Sequence, residues 1–274
     1  MHPVTRAISG ATSFIVLVFT ASLTVAEPAP LRANGTGWEM NVAWWLFAPI
    51  RTTGTSTIEG QSSDIDMSLS DALEVLDFTS SLRFEAWNGR LGILADANFL
   101  KLSEDGGATI GSGPFARDLD VEVDAEQYWI TLMGGYKIAE GVNASGRPFV
   151  FDLHGGLRYN RIRQDVEIEG PVRGGSPGGT ETWWEPVIGV RGLVGLNDAW
   201  SFSAVADFGG FGAGGNDLAW SANAAFDRKL SERASLKVGY RYYSIDFETG
   251  GGADRFGWDL EQHGPFIGLA FSLN

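Results

Sequence analysis

Apolar and polar residues alternate with a period of two along most of the chain, which is the pattern of strands that bury one face. In residues 38–48 the even positions are apolar, including Trp38 and Trp44, whereas Glu39 and Asn41 occupy odd positions. Similar alternation returns in about ten segments, each near the ~9–11 residues that a tilted membrane-spanning strand needs. The pattern therefore predicts an all-β chain.

The last of these segments, 266–274, places Ile267 and Phe271 on one face and Gly268 and Ala270 on the other. In an open sheet such a strand has an unpaired edge, which soluble proteins usually protect with charge or proline. Pairing with the first strand removes the edge and closes the sheet into a cylinder. We therefore predict a closed antiparallel transmembrane β-barrel of about ten strands, with eight or twelve as alternatives.

The connections alternate between long and short. Long ones are predicted at 49–76, 103–122, 167–182, 209–216 and 247–256, and short ones at 88–90, 139–147, 197–199 and 228–234. This asymmetry is typical of outer-membrane barrels, whose short turns face the periplasm, so both termini are predicted to be periplasmic. In the first long loop, Ser70 is predicted to cap a short helix near Leu73, which either plugs the lumen or covers its outer mouth.

Composition fits this architecture. Hydrophobic residues make up 44% of the chain, yet the mean hydropathy is −0.03, so apolar residues are interspersed and not grouped into helical spans. The absence of cysteine excludes disulfides. The formal charge of −14 argues against nucleic acid as a partner.

The first residues are predicted to be an export signal, because Arg6 precedes an apolar stretch and Thr24-Val25-Ala26 resembles a cleavage site. The predicted organisation is a signal peptide at 1–26, a periplasmic lead-in at 27–37 and a barrel domain at 38–274. A soluble sandwich or lipocalin-like barrel is the alternative, because alternation alone does not tell inside from outside. The export signal, the absence of cysteine and the small residues on the charged face, such as Gly189 and Gly239, favour the membrane.

The polar face carries nearly balanced charges, and a narrow barrel can hold such charges inside only if they are paired. We predict a lumen network that either packs the barrel interior or lines a narrow, water-filled constriction. Its members are Glu39, Arg83, Glu85, Asp96, Lys137, Asp152, His154, Arg158, Glu185, Arg191, Asp207, Lys237 and Arg241.

An acidic segment precedes one of the apolar strands, and its carboxylates alternate onto the outward face. Arg161 and Arg163 are predicted to oppose Glu126 and Asp124 across the sheet, with further acids beyond them. Oxygen-rich clusters suit Ca²⁺ or Mg²⁺, which would also bridge to lipopolysaccharide phosphates. The alternative is a solvated, metal-free extension. The candidate metal ligands are Asp118, Asp120, Glu122 and Asp124, and no other cofactor is predicted.

The mature chain resembles Gram-negative outer-membrane β-barrels. Its ending, Gly268-x-x-Phe271-x-Leu273, resembles the carboxy-terminal signal recognised by the barrel-assembly machinery, although Asn274 follows. More narrowly, Asp64-x-Asp66-x-Ser68-x-x-Asp71, Phe84-Glu85-Ala86 and Gly239-Tyr240-Arg241-Tyr242 resemble a poorly characterised group of bacterial outer-membrane proteins. The resemblance implies fold and location, with outer-membrane lipid and lipopolysaccharide as surroundings.

We expect a monomeric structural barrel or a narrow diffusion channel for small solutes or ions. The alternatives are a lipid-modifying enzyme and a module that binds a partner through its long acidic loops. His154 lies beside Asp152, an arrangement that suits acid–base chemistry, but it is placed inside the barrel, where no bulky substrate reaches. We therefore predict that the protein is not an enzyme.

Overall fold

The computed structural model describes residues 37–110, 117–169 and 178–273. Twelve strands are found there, and a short helix, α1 (Leu69–Val75), follows the third. The strands are β1 (Glu39–Phe47), β2 (Arg51–Ile58), β3 (Gln61–Ser68), β4 (Leu76–Asn88), β5 (Leu91–Ile110), β6 (Arg117–Val142), β7 (Pro148–Glu169), β8 (Gly178–Gly195), β9 (Trp200–Ala213), β10 (Asn216–Lys229), β11 (Ala234–Thr249) and β12 (Phe256–Ser272).

Ten of these strands form a closed antiparallel barrel, in the order β1, then β4 to β12. Closure comes from β1 and β12, whose pairing runs from Asn41 opposite Ser272 to Phe47 opposite Phe266. The predicted closed barrel of about ten strands is therefore confirmed. Short turns lie at the end of the barrel where β1 begins and β12 ends, which we call the termini end. The opposite end is the loop end.

The prediction of a loop over 49–76 is wrong over residues 51–68. β2 and β3 form a hairpin on the loop-end part of β12, where Arg51 pairs with His263 and Thr57 with Gly257. The glycine and serine residues suggested a loop, but the threonine-rich run of β2 has high strand propensity and finds a partner edge on β12.

The predicted helix is present, but Ser68 and not Ser70 begins it. The Ser68 backbone N–H donates to Asp71 Oδ2 at 2.8 Å, a capping-box contact across three residues. α1 packs beside β3 and β5, and Leu73 is 54% exposed, so the helix lies against the wall and not inside the lumen. Within the described residues, no helix is long and apolar enough to cross a bilayer.

The barrel is taller on one side than predicted. β6 has 26 residues and β7 has 22, against the ~9–11 that span a bilayer. The loop predicted at 103–122 is largely strand, because Leu102 to Ile110 pair continuously with Arg117 to Ala125. β5, β6 and β7 therefore extend the sheet well beyond the loop-end boundary of the apolar belt.

Candidate functional site

Neighbouring residues of a strand differ sharply in exposure, and the difference identifies the lumen. Leu132 is 61% exposed while Thr131 beside it is 1% exposed, and Trp184 is 62% exposed while Glu185 is 1% exposed. The apolar face thus forms the outer wall and the polar face lines the interior. This is the reverse of a soluble barrel, in which the apolar face is buried.

Two chains of ion pairs lie in the interior at mid-height, and the first of them crosses it. In the first, Arg191 donates through Nε to Asp152 at 2.8 Å and through Nη1 to Glu85 at 2.5 Å. Arg83 donates to Asp96 at 2.5 Å and lies 4.0 Å from Glu85. Because Arg191 belongs to β8 and Glu85 to β4, this chain spans the lumen from wall to wall.

The second chain is centred on Arg158 of β7. Its guanidinium contacts Glu185 at 3.3 Å and also donates to Asp207. Ser221 donates to the other oxygen of Asp207 at 2.5 Å. We call the members of the two chains the ion-pair layer: Arg83, Glu85, Asp96, Asp152, Arg158, Glu185, Arg191 and Asp207. Three arginines here serve five carboxylates, and each arginine is shared between two of them.

His154 lies at the edge of this layer. Its Nδ1 is 3.4 Å from Asp152 Oδ1, and its Nε2 has no hydrogen-bond partner among the described residues. The ring occupies space left by Gly189, where a Cβ atom would lie 2.2 Å from Nε2. A glycine is therefore required opposite His154, which gives a packing reason for the small residues on the lumen face.

Arg241 stands between the ion-pair layer and the loop end. Its guanidinium lies over Phe47, Trp129 and Tyr243 at 5.6, 5.2 and 5.5 Å from the ring centroids. Nη1 donates to the Asn98 amide oxygen at 3.0 Å. Aromatic faces and an amide thus surround this buried cation, and such cation–π contacts are worth more when water is excluded.

Above Arg241 the lumen is filled by aromatic rings, a feature that the sequence reasoning missed. Trp129 stacks on Tyr243 at 5.0 Å, and Trp183 stacks on Phe247 at 4.0 Å. Trp183 also donates its indole N–H to Glu185 at 2.9 Å, which joins the rings to the ion-pair layer. We call this group the aromatic cluster: Trp129, Ile162, Trp183, Ala219, Tyr243, Ile245, Phe247, Phe256, Trp258 and Leu260.

At the termini end the lumen opens into a cavity of about 150 Å³. Arg83, Glu85 and Arg191 of the ion-pair layer line its inner part, and the turn from β10 to β11 lines its mouth. We call this space the mouth cavity. The interior is thus accessible from the termini end, whereas the two layers above fill the lumen towards the loop end.

The other predicted lumen residues lie apart from the ion-pair layer. Lys137 is 5% exposed, lies 3.3 Å from Glu140 and sits over the Trp87 ring at 5.6 Å. Lys237 contacts Asp227 at 2.7 Å beside the mouth cavity. Glu39 is the first residue of β1 and pairs with Trp87 near the termini end.

The observed register of the acidic segment differs from the predicted one by two residues. Arg163 opposes Glu126, and Arg161 opposes Tyr128, over whose ring it lies at 5.7 Å. Asp124 consequently faces Asp165. Further along, the backbone pairs Glu122 with Glu167 and Asp120 with Glu169, and Asp118 with Thr109 of β5. The side chains of Asp118 and Asp120 lie outside the described residues.

No group of three or more histidine or acidic side chains suited to a metal is found in the part of the chain with described side chains. Nearby, beyond the apolar belt, Lys101 contacts Asp77 at 2.9 Å and Ser103 donates to it at 2.8 Å. These two hydrogen bonds hold the pKa of the Asp77 carboxyl below its ordinary value. In this part of the sheet, some acidic residues contact a cation, as Asp77 does, whereas others are opposite another acid, as Asp124 is opposite Asp165.

The three residues of the predicted assembly signal divide between the two faces of the wall. Gly268 faces inward against Trp45, and a Cβ there would lie 2.4 Å from the Trp45 Cβ atom. Phe271 and Leu273 are 40% and 50% exposed. Gly268 therefore has a packing role of its own, and the assembly role stays a prediction.

Comparison with known proteins shows likeness in fold and not in sequence. No protein-family model matches the chain, and no curated protein matches it. Similar solved structures include the translocator domain of autotransporter NalP from Neisseria meningitidis, with a TM-score of 0.42 and 13% identity over 88% of this chain and 90% of that one. The outer membrane protein OprG from Pseudomonas aeruginosa has a TM-score of 0.35 and 14% identity over 87% and 97%.

The attachment invasion locus protein Ail of Yersinia pestis is also similar, with a TM-score of 0.33 and 8% identity over 86% of this chain and 96% of that one. These likenesses concern the fold alone. The closed ten-stranded wall with its exposed apolar belt is itself the barrel architecture that the sequence predicts.

Proposed function

We propose that this protein is an outer-membrane barrel with a structural role, and that its lumen is closed to solutes. The observation that carries this proposal is that two layers, the ion-pair layer and the aromatic cluster, fill the lumen one after the other along the barrel axis. The Arg191–Glu85 pair bridges opposite walls, and the aromatic cluster lies above it. A hydrated ion would have to displace both layers, and the buried ion pairs resist separation because each isolated charge would be left uncompensated.

The wall supports the location. Its outer face combines exposed apolar residues with aromatic residues at or beside the strand ends, such as Trp38, Trp200 and Phe271, where a bilayer interface would hold them. By the usual asymmetry of such barrels, the termini end would be periplasmic and the tall side formed by β5–β7 extracellular. We propose a monomer inserted by the barrel-assembly machinery among lipopolysaccharide and phospholipid.

A second candidate is binding of a partner by this tall side. β6 is more than twice as long as a bilayer-spanning strand, and its outer part faces β7 through acids, including Asp124 opposite Asp165. Catalysis is not proposed. His154 is buried in the interior, and His263 on the outer wall is hydrogen-bonded to the Tyr240 hydroxyl at 2.5 Å.

Planar-bilayer recording of the refolded protein tests the closed lumen. We expect no stable conductance steps from the wild type. The matched positive control is a variant that opens both layers, Arg191→Ser with Trp183→Ala and Phe247→Ala, whose folding is checked by heat-modifiable gel mobility. Regular, ion-selective steps from the wild type would replace this proposal with the narrow channel.

A further inference from the structure

The mouth cavity has an excess of hydrogen-bond donors. Among its described lining residues, three buried nitrogen atoms have no acceptor: Asn41 Nδ2, Trp45 Nε1 and Arg191 Nη2. No buried oxygen of a described lining residue lacks a donor. Buried polar atoms in native proteins are nearly always hydrogen-bonded. Because the unpartnered atoms here are all donors, the group that would complete their hydrogen bonds is an acceptor.

The charged side chains around the cavity balance once their ion-pair partners are counted, so the preference for an acceptor rests on the unpartnered N–H donors. Its lining includes five cationic side chains, Arg83, Arg191, Lys229, Arg233 and Lys237, against three acidic ones, Glu85, Asp227 and Glu232. Arg83 also pairs with Asp96, and Arg191 with Asp152. Both acids lie outside the lining, and with them the count is five of each sign. The cavity nevertheless presents a guanidinium, an ammonium group and neutral N–H donors together.

Arg191 is the central donor. It is 4% exposed, its Nε and Nη1 are occupied by Asp152 and Glu85, and only Nη2 has no acceptor. Asn41 lies directly across the strand pair from Glu85, so it belongs to the wall that the Arg191 guanidinium reaches when it contacts Glu85. A charge-assisted hydrogen bond from a guanidinium to an anion is among the stronger polar contacts in proteins.

Part of the remaining wall is apolar, with Trp45 packed against Phe266 at 6.1 Å and Leu193 nearby, and neutral polar residues such as Ser203 and Asn223 complete it. The volume of about 150 Å³ suits a small molecule or the end of a larger one, because an engineered cavity of roughly this size holds benzene. We propose that the mouth cavity binds a small oxyanion, a carboxylate or phosphate group, with Arg191 and Asn41 as its donors. This goes beyond the closed-lumen proposal and does not depend on it.

Isothermal titration calorimetry of the refolded barrel, in a nonionic detergent without phosphate headgroups, tests this site. The probes are inorganic phosphate and succinate, with glucose as the uncharged comparison. We expect saturable binding of at least one oxyanion and none of glucose. Phosphate binding alone would assign a phosphate group, and succinate binding alone a carboxylate.

The decisive variant is Asn41→Asp, which replaces the amide donor with a carboxylate of nearly the same shape. We expect oxyanion affinity to fall about tenfold or more. Asn88→Asp is the matched control, because it makes the same charge change in an exposed position at the termini end outside the cavity lining. Its affinity should equal that of the wild type.

Trp45→Phe supplies an independent test if Asn41→Asp does not fold, because it removes one donor and keeps a ring against Phe266. Weaker oxyanion binding is expected, by a few-fold. Two results would overturn the proposal: no saturable oxyanion binding by the wild type, or equal affinity in the wild type, the cavity variants and Asn88→Asp.

Discussion

The ion-pair layer and the aromatic cluster both close the same lumen, but by different physical means. In the ion-pair layer each arginine satisfies two carboxylates, so the removal of one member leaves buried charge without compensation. In the aromatic cluster the contacts are dispersive and graded, so a missing ring leaves a void of limited cost. Removal of one residue should therefore lower the free energy of unfolding more in the ion-pair layer than in the aromatic cluster.

The largest effect is expected in the ion-pair layer. Arg158→Met keeps much of the side-chain volume but leaves Glu185 and Asp207 without their shared cation. We expect the free energy of unfolding to fall by about 3–5 kcal/mol. Urea titration in lipid vesicles, followed by tryptophan fluorescence and gel mobility, measures this change.

Arg163→Met on the same strand is the control, since the exposed Arg163–Asp165 pair on the outer surface should contribute only about 0–1 kcal/mol. An equal decrease in the free energy of unfolding in the two variants would show that the buried ion pairs stabilise the barrel no more than the exposed pair does.

The next effect belongs to the aromatic cluster. Phe247→Ala removes a ring that stacks on Trp183 and touches Phe256, and it should destabilise the barrel by about 3 kcal/mol. Because the ion-pair layer stays intact below, this variant should still produce no conductance steps. Conductance in the single variant would show that the rings alone seal the lumen.

A smaller effect tests the junction between the two layers. Trp183→Phe retains the stacked ring but loses the indole N–H that donates to Glu185. Glu185 keeps its contacts with Arg158 and Asn216, so we expect a loss of only about 1.5 kcal/mol in vesicle unfolding. A loss as large as that of Arg158→Met would mean that the layers are not separable.

The smallest effect lies outside the lumen and depends on pH. The folded-state pKa of Asp77 is lowered by Lys101 and Ser103, so this stabilisation is present above the ordinary carboxyl pKa and is lost as the pH falls through the lowered value. Lys101→Met should therefore be slightly less stable than wild type at pH 7, with a difference that shrinks at pH 3. A difference that grows on acidification would contradict the assignment.

Much of this architecture follows from period-two alternation. Parity assigns Glu185 and Arg241 to the interior, and Trp183 and Tyr243, two residues away, share that parity. The inward rings could therefore have been predicted. They were missed because aromatic residues in a barrel are ordinarily expected on the outer wall.

Other features were beyond reach of the sequence. The contact of Arg191 with Glu85 joins strands that are not neighbours, so it depends on the stagger and diameter of the closed barrel. The β2–β3 hairpin was missed because its serines, threonines and glycines also suit a loop, and only the free edge of β12 makes it a strand pair. The alternation along each strand predicts which side chains face inward and which face outward. The contacts between side chains across the lumen can be identified only from the closed barrel.

The most direct test of the two-faced wall uses the absence of cysteine in the chain. Ala224 is exposed on the outer wall, and adjacent Ala225 is 3% exposed and lines the mouth cavity. An environment-sensitive fluorophore attached to Ala224→Cys in vesicles should be quenched by nitroxide-bearing lipids, while the same fluorophore at Ala225→Cys should not. Quenching at Ala225→Cys and none at Ala224→Cys would contradict the central claim that the apolar face meets lipid and the charged face is enclosed.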